Sequence, residues 1–579
     1  MNDIIRCWNS WNWTDEVISR GFLLCMAQLI DVGAELQSIY PIDLLGFKLP
    51  YLYPMARMID IAEASECNEI SLAVVRKSEI DLRRALTLSP HAINETNTMG
   101  QTALHLAVDW PAGMHTLLEA GADIDCKDYY MMSPLDYAVR RSLVEPIHIL
   151  VDAGRSLEYI FDGLVLKDAV RIEQEHLIPD SAQENVVDLL VDLIIERRQR
   201  LGDLAIRTLP AWDLAHFFPH GNHNSYLVDE HASQLFSELP YHGVPVPSAL
   251  DPGRHRTTVY HHIQSSSRVA ERLWKRGFRD IDGKNSLGLT PLMCMGSNIL
   301  DYDGSMNLYL ECVAWFLKKG ANFYAKQDLA LYYESNEGEM PYESRQLMSA
   351  TSLHFVACKI GLALGEYIKV LYNHRRPLRT SLSETSKRVL ERIVVDNVSD
   401  DCRCSCSING CKAFTLMSKR YNWLTDGEFP NWVRLWAQLT DLIDIGDPLK
   451  SSEFLRLMTF KKLGLTHTCC RFGFDHFSGM RLFFRIGDQV AIDEIHEEEA
   501  ADLQKLEELL EEFEAKRIEL DLPFMDFLKE YWRPRMDEVL REGELDEEAL
   551  KELGVRVYES DEEALKEIGV KVYESNSDS

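Results

Sequence analysis

The sequence lacks a long hydrophobic run. One of its longest apolar stretches, 186–195, is interrupted by Asp188 and Asp192, and no run approaches the ~18–20 apolar residues that a membrane-spanning helix requires. The N-terminal region also lacks a basic segment before its short apolar run at 22–30, and a secretory signal begins with such a segment. We therefore expect neither a transmembrane helix nor a secretory signal.

Motifs for common catalytic chemistry are missing as well. The sequence contains no G-x4-G-K-[ST] phosphate loop, no G-x-G-x-x-G after a strand and no H-E-x-x-H zinc motif. No residues set up a nucleophile together with an orienting acid and an oxyanion site. We expect no catalysis and no certain cofactor, and zinc is the one metal that the cysteine pattern brings into question.

Positively charged residues are fewer than negatively charged ones, 61 Lys and Arg against 92 Asp and Glu. The formal net charge is −31, and residues 491–579 carry 30 Asp and Glu against 11 Lys and Arg, a net −19. Sequence-independent binding to nucleic acid or to an anionic membrane needs a basic face. The balance argues against both partners, and we interpret the acidic C-terminal segment as a solvated tail.

The number of cysteines bears on the cellular compartment of the protein. Thirteen cysteines occur without a recognisable secretory signal. That combination is typical of a reducing compartment, where thiols stay reduced or bind metal. We expect an intracellular protein of the cytoplasm or the nucleus.

Two stretches of the chain repeat one pattern. The first runs from Thr102 to Gly121 and contains T-A-L-H-L-A. The second runs from Ser133 to Gly154 and contains S-P-L-D-Y-A. Thr and Ser cap helix N-termini, and Gly supplies the left-handed residue that ends a helix. Each copy is therefore predicted to be a helix–turn–helix pair, with a loop around 126–128 between the copies.

Weaker copies extend the pattern. They begin at Thr258, Thr290 and Thr351, and the second helix of the last copy is predicted at 366–373. Two short helices are predicted upstream, within 69–85.

An interruption from about 157 to 252 separates the two groups of repeats. It contains a predicted helix at 182–208, which Pro210 ends. Two independent arrays are an alternative arrangement at this point.

The repeats resemble the ankyrin-repeat superfamily over roughly 69–160 and 255–378. The later runs D-C-R-C-S-C-S at 401–407 and L-T-H-T-C-C at 465–470 are similar to a group of fungal ankyrin-repeat proteins with a Cys-rich C-terminal region. The resemblance implies a mainly α fold: an interrupted ankyrin-type helical solenoid with an α-rich C-terminal region. The predicted domains are an N-terminal helical cap (1–68), a first group of ankyrin repeats (69–160), a helical and loop insertion (161–254), a second, divergent group (255–378), a Cys-rich region (379–490) and an acidic helical tail (491–579).

The resemblance also implies a protein partner, bound on the concave face and the loop tips of the array. Loop residues are exposed and frequently carry function. The candidate partner-binding residues are Asp125, Lys127, Tyr129 and Tyr130. His105 and His354 occupy the motif position that hydrogen-bonds a neighbouring loop in ankyrin repeats, and we expect structural roles for them.

A cysteine cluster forms the second strong feature. Four of the thirteen cysteines fall within ten residues in the pattern C-x-C-x-C-x4-C. Closely spaced thiolates can bind Zn²⁺, which prefers four tetrahedral ligands. Because the spacing differs from the paired C-x2-C of zinc ribbons, buried thiols that pack as small apolar groups, disulfides and a redox switch stay open. The candidate ligands are Cys402, Cys404, Cys406, Cys411, His467, Cys469 and Cys470.

The acidic tail has two readable segments. Leu506 and Phe513 belong to an apolar stripe at helical spacing within 494–519, which predicts an amphipathic helix docked on the fold, because it has too few heptads for a coiled coil. The segments 546–560 and 561–575 agree at 13 of 15 positions. We interpret them as a local tandem duplication.

Two functions follow. The first is an intracellular scaffold that binds a protein partner through ankyrin repeats without catalysis. The second is a metal-binding or redox-sensing regulatory protein that uses the Cys402–Cys470 cluster.

Overall fold

The structure, a computed structural model, describes most of the chain from residue 66 to residue 541. It divides into two compact units, 1–297 with 311–337 and 298–310 with 338–579. None of the described helices combines the length and the apolar composition that a membrane span requires. The described residues are 66–129, 132–155, 180–210, 214, 229–250, 258–263, 265–295, 305–331, 345–347, 350–374, 382–400, 402, 404–424, 429–443, 448–468, 471–475, 480–486 and 489–541.

Three helix–turn–helix pairs come first among the described residues of the first unit. The first helices of the pairs, α1, α3 and α5, pack in one row, and the second helices, α2, α4 and α6, pack in another. This arrangement confirms the two close repeats and the two helices predicted upstream of them. The helices are α1 (Glu69–Val75), α2 (Glu79–Leu88), α3 (Ala103–Leu106), α4 (Pro111–Glu119), α5 (Pro134–Arg140) and α6 (Val144–Asp152).

Sequence signals set the ends of these helices. Ser133 caps α5, since its hydroxyl accepts from the Asp136 amide and the Asp136 carboxylate accepts from the Ser133 amide. Pro134 lies in the first turn, where a missing N–H breaks no helical hydrogen bond. Gly121 and Gly154 have φ of +91° and +103°, a conformation that costs other residues about 1–2 kcal/mol. They follow α4 and α6, as predicted.

The apolar stripe of the repeats is buried between neighbours. Leu104, Ala107 and Leu117 are fully buried, whereas Leu118 is half-buried. Removal of such side chains from water is the main favourable contribution to folding. It holds each repeat on the next.

The first unit continues through the interruption into the second group of repeats. Gly277 and Gly320 have φ of +101° and +99° and follow α9 and α11, like the glycines of the first group. The elements are α7 (Asp180–Thr208), α8 (Asp229–Tyr241), a 3-10 turn (Val259–His262), α9 (Ser267–Lys275), α10 (Pro291–Cys294) and α11 (Ser305–Lys319), and the division between units falls within α11.

Helix α7 connects the two groups of repeats. Arg197 on α7 donates to the Val151 carbonyl of α6 (3.1 Å). Arg276, which follows α9, pairs with Asp188 and Asp192 of α7 (3.3 and 3.2 Å). The first group of repeats therefore lies in one compact unit with the part of the second group that ends at residue 337, whereas the copy that begins at Thr351 belongs to the second unit.

The prediction of a separate second helix in the last repeat is wrong. Helix α12 (Ser352–His374) runs without a break, so there is no turn before a separate helix at 366–373. The run from Leu362 to Leu364 consists of strong helix formers, and the helix continues through the glycines that flank it, Gly361 and Gly365.

The described part of the second unit is helical and contains a small three-stranded sheet. The sheet has the antiparallel order β1-β3-β2, in which Arg345 pairs with Ile486 and Arg471 pairs with Phe484. The sequence analysis missed this sheet. The elements are β1 (Arg345–Leu347), α12, α13 (Glu384–Val395), α14 (Ala413–Leu424), α15 (Phe429–Leu442), α16 (Pro448–Lys462), β2 (Arg471–Asp475), β3 (Met480–Ile486), α17 (Gln489–Glu498), α18 (Ala500–Leu520), α19 (Phe524–Phe527) and a π turn (Leu528–Trp532).

The predicted amphipathic helix is docked, but it is not a single helix. Glu499 separates α17 from α18 with φ −91° and ψ 11°. Leu506 and Phe513 are buried, and α18 packs on α16. Trp532 then donates from Nε1 to the Thr459 hydroxyl of α16 (3.0 Å). The tandem duplication lies outside the described residues.

Candidate functional site

The loop between α4 and α5 is held by a buried hydrogen-bond network. The carboxylate of Asp128, which is 3% exposed, accepts from the Met132 amide (2.8 Å) and from the Tyr137 hydroxyl (2.6 Å). Gln101 donates from Nε2 to the Tyr137 oxygen (2.8 Å). Burial, with a further contribution from Asp128, raises the pKa of Tyr137, so the hydroxyl keeps its proton. The network joins the loop to both flanking repeats.

Two loops of the solenoid each contain a turn of the same type. The Asn97 side-chain oxygen accepts from the amides two and four residues ahead (3.0 and 2.9 Å), and Asn285 does the same (3.0 and 3.0 Å). Three residues after each Asn, Gly100 and Gly288 have φ of +77° and +69°. The backbone of the following loop lies directly against each glycine, since a Cβ on Gly100 would be 2.7 Å from the Tyr129 amide nitrogen.

The predicted partner-binding residues differ in their surroundings. Tyr129 is 63% exposed at the loop surface. The Asp125 side chain is 57% exposed but forms an ion pair with the buried Arg155, so it supports the loop. Lys127 is half-buried. Tyr130 lies outside the described residues.

The motif histidines are structural. His105 Nδ1 accepts from the Thr102 amide (3.1 Å), and Nε2 donates to the Met132 carbonyl (3.0 Å) in the neutral tautomer that this pattern requires. Burial lowers the pKa of His105 to about 4. His261 makes the equivalent pair of contacts (3.0 and 2.9 Å). His354 Nδ1 accepts from the amide three residues before it (3.3 Å), and burial lowers its pKa also.

We predict that His105 makes stability fall by about 1.4 kcal/mol between pH 7.5 and 5.5. The pKa of His105 is about 4 in the folded chain against an ordinary 6.5 when unfolded. Because the folded pKa is depressed, the contribution is complete above pH 6.5 and is lost as the pH falls towards 4. Urea unfolding at both pH values should show a correspondingly weaker pH dependence for His105→Gln. Identical pH dependence in the two proteins would contradict the assignment.

The four clustered cysteines lie in the loop between α13 and α14. All four are buried, and none forms a disulfide. Among the described residues, the candidate ligands fall into two triads, in each of which the ligand atoms lie within 4.8 Å of one another. The thiol–imidazole triad consists of Cys404, Cys406 and His467. The Asp400 triad consists of Asp400, Cys402 and Cys411.

Backbone hydrogen bonds account for the Asp400 triad. Asp400 Oδ1 accepts from the amides of Cys402 (3.1 Å) and Cys411 (2.6 Å), and its own amide donates to the Cys411 carbonyl (3.1 Å). Lys419 Nζ lies 2.9 Å from Cys411 Sγ and supplies a positive charge there. This triad closes the loop without needing a metal.

The thiol–imidazole triad combines softer ligands. Cys404 Sγ lies 3.8 Å from His467 Nδ1, and the His467 ring packs on Phe460 with centroids 4.7 Å apart. The structure thus brings both predicted ligand types together, whereas the sequence could not show how the four cysteines divide. Asp400 was missed, although an Asp two residues before a Cys is a signal for a side-chain-to-backbone turn. Cys469 and Cys470 lie outside the described residues.

Comparison with known proteins gives a local family match. The family model of the ankyrin repeat matches residues 99–129. No curated protein matches the chain, so the fungal resemblance stays a prediction. Among solved structures, the ankyrin repeat domain of Bcl-3, a member of the IκB family, is 16% identical with a TM-score of 0.27, covering 45% of this chain and 90% of its own. An ankyrin repeat domain from Acinetobacter baumannii is 18% identical with a TM-score of 0.21, covering 45% of this chain and 84% of its own.

The chain is mainly α and contains an ankyrin-type helical solenoid. Stacked helix pairs, left-handed glycines at helix ends and buried motif histidines carry this conclusion. In such solenoids each repeat contacts its neighbours and the stack forms an extended binding surface. Ankyrin repeats are in general protein-interaction modules without catalysis.

Proposed function

We propose that the first unit binds a protein partner through the loop between α4 and α5, with Tyr129 as the central contact. One observation carries this function. A largely exposed tyrosine stands directly beside the buried Asp128. The Tyr129 amide donates to Met99 on one side, and the Asp128 carboxylate accepts from the Tyr137 hydroxyl on the other, so this part of the loop is bonded to both flanking repeats.

The hydrogen bonds around Asp128 and Tyr129 favour binding. Association costs free energy for each loop or side chain that must be ordered, and a loop already held in one conformation avoids much of that cost. Tyrosine is enriched among the residues that dominate protein interfaces, because its ring gives a large contact area with few rotatable bonds. Tyr129 combines these two properties.

Packing beneath the ring fixes its position. The Tyr129 amide donates to the Met99 carbonyl (3.3 Å), and its ring lies against Gly100, where a Cβ would approach Cδ1 to 2.9 Å. The Asp125 ion pair with Arg155 fixes the other end of the loop. These contacts on both sides of Tyr129 hold its backbone in place while its ring stays largely exposed.

The experiment compares two exposed tyrosines of the first unit. Tagged full-length wild type, Tyr129→Ala and Tyr241→Ala would be purified from cells, and co-purifying proteins quantified by mass spectrometry. Tyr241 is 87% exposed on α8, away from the loop in sequence, and serves as the control. We predict a protein that wild type and Tyr241→Ala recover equally and that Tyr129→Ala recovers about tenfold less or worse, as expected for a central interface residue. Equal recovery by all three proteins would refute the assignment of Tyr129.

We also propose a reducing compartment, the cytoplasm or nucleus. All the described cysteines carry thiols without disulfides, and such thiols persist where the environment is reducing.

A further inference from the structure

We propose that Cys404, Cys406 and His467 form a zinc site that fastens the loop after α13 to the segment after α16. Two thiolates and one imidazole are the soft donors that select zinc over Mg²⁺ or Ca²⁺. Two thiolates also balance the charge of Zn²⁺, which matters because Cys404 and Cys406 are 2% and 1% exposed.

The spacing of the atoms fits tetrahedral coordination. Zinc lies about 2.3 Å from a cysteine sulfur and about 2.0–2.1 Å from a histidine nitrogen, so two such ligands on one tetrahedral ion are about 3.6 Å apart. Cys404 Sγ and His467 Nδ1 are 3.8 Å apart. This pair therefore already has the spacing of two zinc ligands, and the ligand atom of Cys406 lies within 4.8 Å of both.

Neighbouring residues hold both sides of the triad. Arg456 donates from Nε to the carbonyl of Ser405, which lies between the two cysteines (2.8 Å). On the other side, the amide of Thr466 donates to the Glu499 carboxylate (2.9 Å). These contacts hold the backbone next to the ligands on both sides of the triad.

The cysteine loop also borders a cavity. A cavity of about 560 Å³ reaches the cysteine loop and is lined by Cys406, Ser407, Arg456 and Glu507 among others. A metal site requires an entry path as well as ligands at the correct distances.

The proposal separates the four clustered cysteines into two classes. Cys404 belongs to the zinc site, whereas Cys411, which is equally buried in the same loop, contacts Lys419 (2.9 Å). A cation beside Cys411 disfavours a second one there. Cys411→Ser is therefore a matched control for Cys404→Ser.

The test measures metal in the full chain purified without chelator. Elemental analysis should give about one zinc per chain for wild type and for Cys411→Ser, and roughly a fifth of that or less for Cys404→Ser and His467→Ala. Circular dichroism checks that each variant is folded. His467→Cys, which offers a thiolate in place of the imidazole, should restore zinc and covers the case in which His467→Ala unfolds.

A second readout uses cobalt. Co²⁺ added to chelator-treated wild type should give the intense sulfur-to-metal absorption of thiolate coordination, and Cys404→Ser should weaken it while Cys411→Ser leaves it unchanged. Wild type that contains no zinc and binds no Co²⁺ would overturn the proposal. Equal losses in Cys404→Ser and Cys411→Ser would overturn the choice of ligands.

Discussion

Replacing Gly288 with alanine is expected to lower the free energy of unfolding of the first unit by about 3 kcal/mol. Gly288 has φ of +69°, a conformation that costs an L side chain about 1–2 kcal/mol. An added Cβ would also overlap the carbonyl oxygen of Asp328. That oxygen belongs to backbone, so the next loop would have to move, and overpacking of this kind costs a further 1–3 kcal/mol or so.

Gly320→Ala is the control for this change. Gly320 has φ of +99°, yet nothing lies within 4 Å of a Cβ built there. It should cost only the conformational part, about 1–2 kcal/mol. In urea unfolding of the full chain, the midpoint of Gly288→Ala should be clearly lower than the midpoint of Gly320→Ala. Equal midpoints for the two variants would show that the loop contact at Gly288 carries no stability.

Replacing Asp128 with alanine is expected to cost a similar amount, about 3 kcal/mol. The change leaves the Met132 amide and the Tyr137 hydroxyl without their acceptor in the interior. Each buried donor that loses its acceptor costs about 1–3 kcal/mol. Asp128→Asn keeps an acceptor oxygen and should lose less.

The control for Asp128→Ala is Asp203→Ala, because Asp203 is exposed on α7 and surface substitutions usually change stability by less than about 0.5 kcal/mol. In thermal unfolding, the melting temperature of Asp203→Ala should be close to that of wild type. The melting temperature of Asp128→Asn should be lower, and that of Asp128→Ala the lowest. The account of the loop fails if Asp128→Ala melts with Asp203→Ala.

Local signals made the repeats predictable. The cap at Ser133, the proline beside it and the glycines at 121 and 154 act within a few residues of the helix ends that they set. Such effects depend little on the rest of the fold. The same holds for the buried stripe, since helical spacing determines which residues share a face.

The features that the sequence analysis missed depend mostly on contacts between distant parts of the chain. The apolar and aromatic residues of 480–486 favour a strand, but its partners are β1 and β2, and β1 lies more than a hundred residues away. The helix α12 was predicted to break because the family pattern places a turn there, yet the helix continues through Gly361 and Gly365. The division of the cysteines depends on Asp400 and Lys419, which bind Cys411 and leave Cys404 with His467.

Site-specific photocrosslinking tests the central claim most directly, namely that the loop with Tyr129 is the surface that meets a protein partner. A photoreactive phenylalanine analogue would replace Tyr129 or, as the control, Tyr241 in the full chain inside cells. The account predicts one discrete crosslinked protein from position 129 and none from position 241. The absence of an adduct at position 129, or the same adducts at both positions, would contradict it.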